Sequence, residues 1–205
     1  MQYSRGPRHG IYIKTFAFLP IRKGVEAQKF HDHWRHPHAT WGREMRDVRR
    51  YVQNHRISTS LLGAAQDRYE GIVEAWFESI EDLQNFVKDP AYLNYLAPDE
   101  VNFIDTDGLT YLTSSDESPS ESDRPRRLDD ADSLWSPWVV PHCIKLFQLV
   151  LSGGNHDLEG TDDAAIAKAL GALRHARFYP LDALIPPGGP PFIAIREFWP
   201  PYCLT

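Results

Sequence analysis

One short sequence pattern occurs twice in this chain, and it constrains the fold more than any other feature. Ile13–Phe16 (IKTF) is followed by the apolar segment Gly71–Phe77 (GIVEAWF), and Ile144–Phe147 (IKLF) is followed by Ile195–Trp199 (IREFW). Each copy is an apolar strand with one lysine, then a helical stretch, then an apolar strand with one glutamate. Repetition over such a length predicts two related units that pack on each other and share an interior.

The first copy has the element order of a complete split βαβ unit. Apolar runs and helical periodicity predict the following elements. The predicted strands are residues 11–19, 50–57, 71–77 and 102–113, and the predicted helices are residues 25–36 and 80–89. Pro37 is expected to kink or end the first helix, because proline cannot donate the helical hydrogen bond. The resulting order β-α-β-β-α-β is the ferredoxin-like arrangement of an α+β fold.

The second copy is predicted to be a truncated ferredoxin-like unit. Its strands are expected at residues 143–151 and 192–199. A helix between them is predicted from the apolar stripe Ile166, Leu170 and Leu173, with Arg174 and His175 near its end, where cations complement the helix dipole. No counterpart of the last helix and strand of the first unit follows, so we predict two ferredoxin-like units of which the second is degenerate.

Composition divides the chain into three parts. Residues 9–114 are predicted to form the first unit, and residues 139–205 the second. Residues 115–138 between them are rich in serine and in charged side chains, which is typical of a solvated linker.

Charge and cysteine content exclude several classes of protein. The formal net charge is −6, which argues against a nucleic-acid or anionic-membrane partner. No apolar run reaches the length of a membrane span. Cys143 and Cys203 are the only cysteines, so we expect no disulfide framework and a reducing, cytoplasmic location, with a single Cys143–Cys203 bridge as the alternative.

The strand charges suggest how the two units meet. A lone ferredoxin-like sheet covers one face with helices, and an apolar second face would remain exposed unless another sheet covered it. Stacking the two sheets would enclose a small, mostly apolar cavity. Strands one and three are neighbours in this topology, so Lys14 is expected beside Glu74 and Lys145 beside Glu197. Two interpretations stay open: structural ion pairs, or a Glu74 that faces the cavity and carries protons.

Several segments together resemble the EthD family. They are Phe30–His38 (FHDHWRHPH), Tyr51–His55 (YVQNH), Gly71–Glu74 (GIVE), and Pro98–Glu100 (PDE) with Phe103 and Asp105 after it. The family's aromatic-x-x-x-Trp-x-x-x-His pattern falls on Phe30, Trp34 and His38. The resemblance covers residues 11–117, and the second unit contains no Trp-x-x-x-His. Pro37 precedes the histidine, whereas proline usually follows it in the family.

The resemblance implies a fold and a range of activities. Members are similar to homodimeric or tandem α/β barrels, so this chain is expected to form the dimeric α/β-barrel-type fold within one polypeptide. The family is associated with ether degradation and with polyketide and aromatic catabolism. Proteins with the same barrel include cofactor-free monooxygenases, isomerases, cyclases, dehydratases and decarboxylases, which share a hydrophobic cavity with one or two acid/base residues.

The residues and the resemblance together nominate a site. His38 follows the proline break, where its side chain can turn into a cavity, and histidine is the natural proton carrier near neutral pH. We predict His38 as the principal acid or base, with Glu74, Tyr51 and His55 as positioning or relay groups. The alternative for each is an ordinary structural role. The predicted substrate pocket consists of Phe16, Phe30, Trp34 and Trp76.

The predicted function is a cofactor-free acid/base enzyme of lyase, dehydratase, isomerase or decarboxylase type. Its substrate would be a small hydrophobic molecule, aromatic or polyketide-like. A non-catalytic ligand-binding or stress-associated protein and a haem- or oxygen-linked monooxygenase are the alternatives, and a homodimer is a further assembly that the sequence allows. Four histidines lie between positions 31 and 38, but their spacing brings no three ligands together, so no metal site is predicted. Nucleotide-binding loops and a serine-hydrolase elbow are absent from the sequence, and no cofactor is expected.

Overall fold

The structure is a computed structural model that describes residues 11–42, 45–60, 62–117, 144–151, 162–172, 174–187, 189 and 192–200. The strands in these ranges are β1 Ile11–Leu19, β2 Arg50–His55, β3 Gly71–Phe77, β4 Thr110–Glu117, β5 Leu146–Val150, β6 Arg174–Phe178 and β7 Ala194–Trp199. The α-helices are α1 Ala27–His33, α2 Ala39–Gly42, α3 Ile80–Phe86, α4 Ala97–Glu100 and α5 Asp163–Ala169. Residues 118–138 of the predicted linker and both cysteines lie outside the described residues.

Shorter helical turns connect several of these elements. The π-helical turns are Trp34–His38 and Tyr92–Leu96, and the 3₁₀ turns are Gly63–Arg68, Thr106–Gly108 and Asp182–Leu184.

The first sheet has the ferredoxin-like topology. Its strand order is β2-β3-β1-β4, and every neighbouring pair is antiparallel. The chain order β1-α1-β2-β3-α3-β4 is the predicted split βαβ order, so the α+β, ferredoxin-like prediction is confirmed. Strands β1 and β3 have the predicted bounds, because long apolar runs of β-branched and aromatic residues favour strands.

The fourth strand starts later than predicted. Residues 102–113 were expected to be the strand, but β4 begins at Thr110. Phe103 and Ile104 are buried against Phe30 and Trp34 of the first helical segment instead of lying in the sheet. Their apolar character therefore reflects packing after α4, not strand formation.

The second sheet contains a strand that the sequence interpretation placed in a helix. Helix α5 ends at Ala169, and Gly171 takes a positive φ of 60°, a conformation that closes helices and that glycine adopts without strain. The chain then enters β6, so the expected helical end at Arg174 and His175 is wrong. The strand order of this sheet is β5-β7-β6. Its strands β5, β7 and β6 therefore correspond in position to β1, β3 and β2 of the first sheet.

The two faces of the first sheet have different neighbours. Phe16 and Phe18 project from one face of β1 and form a buried cluster with Phe178, Phe192 and Ile195 of the second unit. Leu19 projects from the other face and belongs to a second cluster under the first helical segment. Alternation along β1 therefore separates an inter-sheet side from a helix side.

A buried ion-pair network crosses between the sheets. Lys14 Nζ lies 2.7 Å from Glu74 Oε2 and 2.9 Å from Glu197 Oε1, and Lys145 contacts Glu74 Oε1. Lys14 thus has its expected neighbour, Glu74. Lys145 contacts Glu74 as well, instead of the expected Glu197. Each lysine contacts the other unit's glutamate because the strands of the two sheets face each other across the interior.

The network compensates for charge burial. Burial alone would raise the pKa of Glu74, but Lys14 and Lys145 outweigh it and lower the pKa to about 2. Burial raises the pKa of Glu197 to about 7, and the negative charge of the neighbouring Glu74 also raises it. Lys14 and Lys145 act in the opposite direction but do not outweigh these two causes. Lys14 Nζ also lies 4.0 Å from the centre of the Phe178 ring, a favourable position for a cation.

Candidate functional site: a cavity beside His38 and Asp99

A cavity of about 420 Å³ lies on the helix side of the first sheet. Its floor comes from alternate residues of the strands, including Ala17, Val73 and Ala75, and its walls come from the helical segments around His38 and Glu100. The lining is mainly apolar with few polar groups, which is typical of small-molecule sites.

His38 reaches this cavity because the first helical segment breaks just before it. His36 has extended backbone angles (φ −152°, ψ 127°), and a cis peptide bond joins it to Pro37. Proline disfavours the helical conformation in the residue before it. The break turns the chain so that His38 is 6% exposed and lines the cavity together with Trp34.

Asp99 holds the ring of His38. The His38 Nδ1 atom lies 2.8 Å from Asp99 Oδ2, and both side chains are buried. The Asp99 carboxylate is also 2.8 Å from His33 Nε2, and Phe103 packs against both imidazoles, with ring centres 5.1 Å from His38 and 4.9 Å from His33. A carboxylate on Nδ1 selects the tautomer that leaves Nε2 with a free lone pair. Among the described residues, His38 Nε2 has no hydrogen-bond partner.

The protonation of His38 depends on two opposing effects. Burial lowers the pKa of His38 below its ordinary value of 6.5, and the hydrogen bond and charge of Asp99 raise it by less. His38 is therefore neutral at neutral pH, and its Nε2 can accept a proton.

Glu100 is a second ionisable group in the wall. It follows Asp99 on α4 and accepts a hydrogen bond from the Tyr92 hydroxyl, at 3.4 Å from Oη to Oε2. Burial raises the pKa of Glu100 to about 7, and the nearby Asp99 carboxylate adds to the increase against the Tyr92 hydrogen bond. Glu100 is thus half-protonated near neutral pH and can exchange a proton there.

Tyr51 of β2 lines the cavity. Its hydroxyl accepts long hydrogen bonds of 3.4 Å from Trp34 Nε1 and Gln53 Nε2. Burial is the main cause that raises the pKa of Tyr51, so its hydroxyl stays protonated at neutral pH. The hydroxyl can orient a ligand but is a poor acid.

His55 lies outside the cavity lining. Its Nδ1 atom is 2.9 Å from Nδ1 of His31, and its ring packs at a tilt of 48° against Trp34, with 4.4 Å between centres. Burial, followed by the nearby His31 and Arg35, lowers the pKa of His55 to about 4. His55 therefore packs against Trp34 and is not among the residues that line the cavity.

Three further predicted site residues lie on the face of the first sheet that is opposite to the cavity. Glu74, Phe16 and Trp76 project to the inter-sheet side, where Lys14 contacts them. Their strand positions alternate with those of Val73 and Ala75, which line the cavity. Phe30 is on the correct side but is buried behind Trp34, with ring centres 5.6 Å apart, and forms no part of the lining. The space between the sheets is packed with aromatic side chains, so the candidate cavity lies between sheet and helices.

The sequence interpretation missed the two acidic residues that matter most. Asp99 and Glu100 were noted within the PDE segment but were not among the residues predicted for the site. They lie on α4, and Asp99 meets His38 although 61 positions separate them in the chain. The available signal was the occurrence of this acidic pair within the same resemblance as the Trp-x-x-x-His pattern.

The second unit also contributes to the cavity. The backbone N–H of Leu181 donates to the Thr113 carbonyl of β4 at 2.8 Å. The 3₁₀ turn that follows, Asp182–Leu184, brings Leu184 into the lining. The site is therefore built from both parts of the chain.

The described ranges contain neither a cluster of metal-ligating side chains nor a helix that could span a membrane. No group of three or more His, Cys, Asp or Glu side chains in them is arranged to hold a metal ion. No helix in them is long and apolar enough to cross a membrane.

Fold and site together define the class of protein: a ferredoxin-like α+β protein with a buried histidine–aspartate pair at an apolar cavity. Residues 22–107 match the model of the EthD domain family. The resemblance to this family is thereby confirmed over residues 22–107, which include both members of the pair.

Solved structures with similar folds cover about half of this chain. An EthD family protein from Bacillus halodurans is 16% identical, covering 51% of this chain and 98% of its own, with a TM-score of 0.43. A protein from Arabidopsis thaliana is 18% identical, covering 53% and 98%, with a TM-score of 0.41. Hydroxynitrile lyase from Passiflora edulis is 17% identical, covering 52% and 95%, with a TM-score of 0.40. No protein of curated function matches the sequence.

Proposed function

We propose that this protein is a cofactor-independent acid/base enzyme that acts on a small, largely apolar molecule. The observation that carries the proposal is the His38–Asp99 pair at the wall of the cavity, with Nδ1 of His38 2.8 Å from the carboxylate. The substrate would occupy the cavity of about 420 Å³, within the usual range for small-molecule sites.

His38 is the general base in this proposal. Asp99 holds the Nδ1–H tautomer and stabilises the imidazolium that forms when Nε2 takes a proton. The lowered pKa of His38 keeps the free base populated at neutral pH. Tyr51 positions the substrate through its hydroxyl, and Trp34 supplies an apolar wall beside it.

Proton transfer at carbon is the chemistry that this arrangement supports best. A neutral imidazole in an apolar cavity can remove a proton from carbon and return it to the same or another atom. Lyases, isomerases, dehydratases and decarboxylases all share such a step, so the proposal covers the predicted group of reactions without choosing among them.

We also propose that residues 9–114 and 139–205 are the two units of an intrachain barrel-type assembly, joined by the linker 115–138. The matching strand order of the sheets supports this, as do the Lys14–Glu197 and Lys145–Glu74 pairs between them. The second sheet covers the apolar face that the first would otherwise expose. A homodimer of such chains stays a prediction, as does a cytoplasmic location.

Deuterium uptake from D₂O tests the proposed chemistry without knowledge of the natural substrate. We would follow exchange at carbon by ¹H NMR in a panel of aryl ketones, β-keto esters and the corresponding carboxylates. The wild-type protein should accelerate exchange in at least one compound, and His38→Ala should reduce that acceleration roughly 10²–10⁴-fold, the usual contribution of a general base.

His175→Ala is the matched control, because His175 is an exposed histidine on β6 of the second sheet. The His175→Ala variant should catalyse deuterium exchange at the wild-type rate. Wild-type rates in a folded His38→Ala variant would remove the proposed role. Compounds that bind without any exchange would indicate a ligand carrier instead of an enzyme.

A further inference from the structure

We propose that the cavity takes an uncharged molecule with a hydrogen-bond-accepting oxygen, and that protonated Glu100 donates to that oxygen. This inference rests on the ligand cavity proposed above, and it adds the class of molecule and a second acid/base residue. Glu100 was not among the residues that the sequence interpretation nominated for the site.

The placement of Glu100 is the first support. Glu100 and His38 both line the cavity, and Glu100 directly follows the Asp99 that holds the His38 ring. The Tyr92 hydroxyl donates to its Oε2 atom at 3.4 Å, which orients the carboxyl group. An oriented carboxylic acid in a largely apolar cavity is a hydrogen-bond donor ready for a ligand oxygen.

Glu100 lies near the three tyrosines of the cavity lining. Burial is the main cause that raises the pKa values of Tyr51, Tyr92 and Tyr111, and the Glu100 charge adds to each increase. These three tyrosines come from β2, the turn before α4, and β4, and all line the cavity. Glu100 therefore lies within electrostatic reach of every tyrosine in the lining.

The charges of the lining set the class of ligand. Among the described residues, the cavity is lined by no lysine or arginine. Its ionisable groups are His38, Glu100 and the tyrosines, and Asp99 behind His38 adds a negative charge. A carboxylate or phosphate ligand would lose its hydration and meet no cation among the described lining residues, which is unfavourable. An uncharged carbonyl or hydroxyl compound avoids this cost.

The proposed step balances in protons and electrons. His38 Nε2 takes a proton from the carbon next to a carbonyl, and the C–H electron pair becomes the new C=C bond. The carbonyl π pair moves to oxygen, which takes the Glu100 proton, so an enol, an imidazolium and a carboxylate form. Return of both protons, to the same or another carbon, restores the residues. No oxidant, reductant or cofactor is consumed.

The pH dependence of Glu100 gives a distinctive signature. Among the described residues, the ionisable groups that line the cavity with Glu100 or act on its charge are Asp99 on its own helix, the three tyrosines and His38. Tyr51, Tyr92 and Tyr111 have raised pKa values and stay protonated below pH 9, while the pKa of His38 is lowered below 6.5, so its neutral form predominates above that pH. Glu100, with a pKa of about 7, is the group whose charge changes between these limits.

Three probes of one shape test the inference by isothermal titration calorimetry. They are 2-acetylnaphthalene (uncharged), 2-naphthoate (anionic) and 2-naphthylmethylammonium (cationic). The wild-type protein should bind the ketone, and Kd should rise about tenfold between pH 6.5 and 9, as Glu100 loses its donor proton. The carboxylate should bind about 100-fold more weakly than the ketone, since it would be buried without a counter-charge.

Glu100→Gln separates proton donation from a structural role. The amide keeps the size of the side chain and a donor at every pH, so ketone binding should become independent of pH. Glu81→Gln removes a carboxylate from the exposed face of α3 and should keep the wild-type pH profile.

Four outcomes would overturn the inference. They are equal affinity for ketone and carboxylate, tighter binding of the ammonium probe, an unchanged pH profile in Glu100→Gln, and no binding of any probe by the folded wild-type protein. These are equilibrium measurements, so they succeed or fail independently of the isotope-exchange test of catalysis.

Discussion

The chemistry of His38 is decided by its hydrogen-bond partner. An isolated buried histidine would be neutral with either nitrogen protonated. Asp99 removes that ambiguity by accepting from Nδ1 at 2.8 Å, and it leaves Nε2 available at the cavity. Phe103 packs on the His38 ring and restricts its rotation. The residue is therefore held in one orientation and one tautomer before a ligand arrives.

Asp99→Asn tests whether the hydrogen bond between Asp99 and His38 Nδ1 selects the tautomer of His38. The amide can present its N–H₂ to His38 and stabilise the wrong tautomer, so we expect the exchange rate to fall about 10²-fold or more. Asp99 raises the pKa of His38 against the larger effect of burial. Its loss should lower that pKa further and move the acid limb of the pH–rate profile to lower pH.

Asp107→Asn is the control for the Asp99 variant, because Asp107 is exposed in the 3₁₀ turn before β4. It should leave both the rate and the pH profile unchanged. If Asp99→Asn lost activity without any movement of the acid limb, the pair would have a structural role only.

The sequence could identify one member of this pair but not the other. His38 was recognisable because Pro37 must interrupt a helix and because Phe30 and Trp34 precede it at helical spacing. Asp99 was not, since nothing local shows that a carboxylate in a separate helix will meet a particular imidazole. Contacts between residues distant in the chain follow from the packed fold.

At the scale of elements, the cavity depends on how closely Trp34 packs on β3. Gly71 begins that strand, and a Cβ atom built on it would lie 2.3 Å from Trp34 Cζ3. Trp34 is fully buried and is held between Phe30 and His55, so its ring has little freedom to move. The glycine is required by this close approach of the indole to the backbone.

Gly71→Ala should therefore destabilise the protein and distort the cavity wall. We expect a loss of about 1–3 kcal/mol in the free energy of unfolding, the usual cost of overpacking a core. Affinity for 2-acetylnaphthalene should fall as well, because the ring that moves lines the cavity. Urea unfolding and calorimetric titration measure the two effects.

Gly42→Ala is the matched control for stability, since a Cβ atom there would have no neighbour within 4 Å. Its free energy of unfolding should stay close to that of the wild type. Equal stabilities of the two alanine variants would show that Trp34 does not pack on Gly71 as described.

Element bounds were predictable where the pattern was unambiguous. β1 and β3 have long apolar runs, and both were placed correctly. β6 was missed because Arg174–Phe178 carries two arginines and a histidine, and charges after an apolar helical stripe resemble a helix end. The cavity face was not predictable either: β1 and β3 are apolar on both sides, so alternation alone could not show which side meets the helices.

At the scale of the whole molecule, the first sheet separates two environments. One face carries Lys14 and Glu74, which bind the second sheet through buried charge pairs. The other face forms the cavity floor beneath His38 and Glu100. The sequence predicted that two apolar sheets meet within one chain around a cavity, whereas aromatic side chains pack between the sheets and the cavity beside His38 lies on the helix side.

The second unit takes part in both environments. Glu197 pairs with Lys14 on the inter-sheet side. Leu184 reaches around the edge of the first sheet to line the cavity, after the Leu181–Thr113 backbone hydrogen bond attaches its turn to β4. The repeated strand pattern therefore predicted the contact between the units, whereas the reach of this turn depends on a loop that has no counterpart in the pattern.

A crystal structure of the protein with bound 2-acetylnaphthalene tests the central claim most directly. We predict the probe in the cavity on the helix side, with its ring system near Trp34 and its oxygen within hydrogen-bonding distance of Glu100. Density for the probe between the two sheets, beside Lys14 and Glu74, would contradict the account.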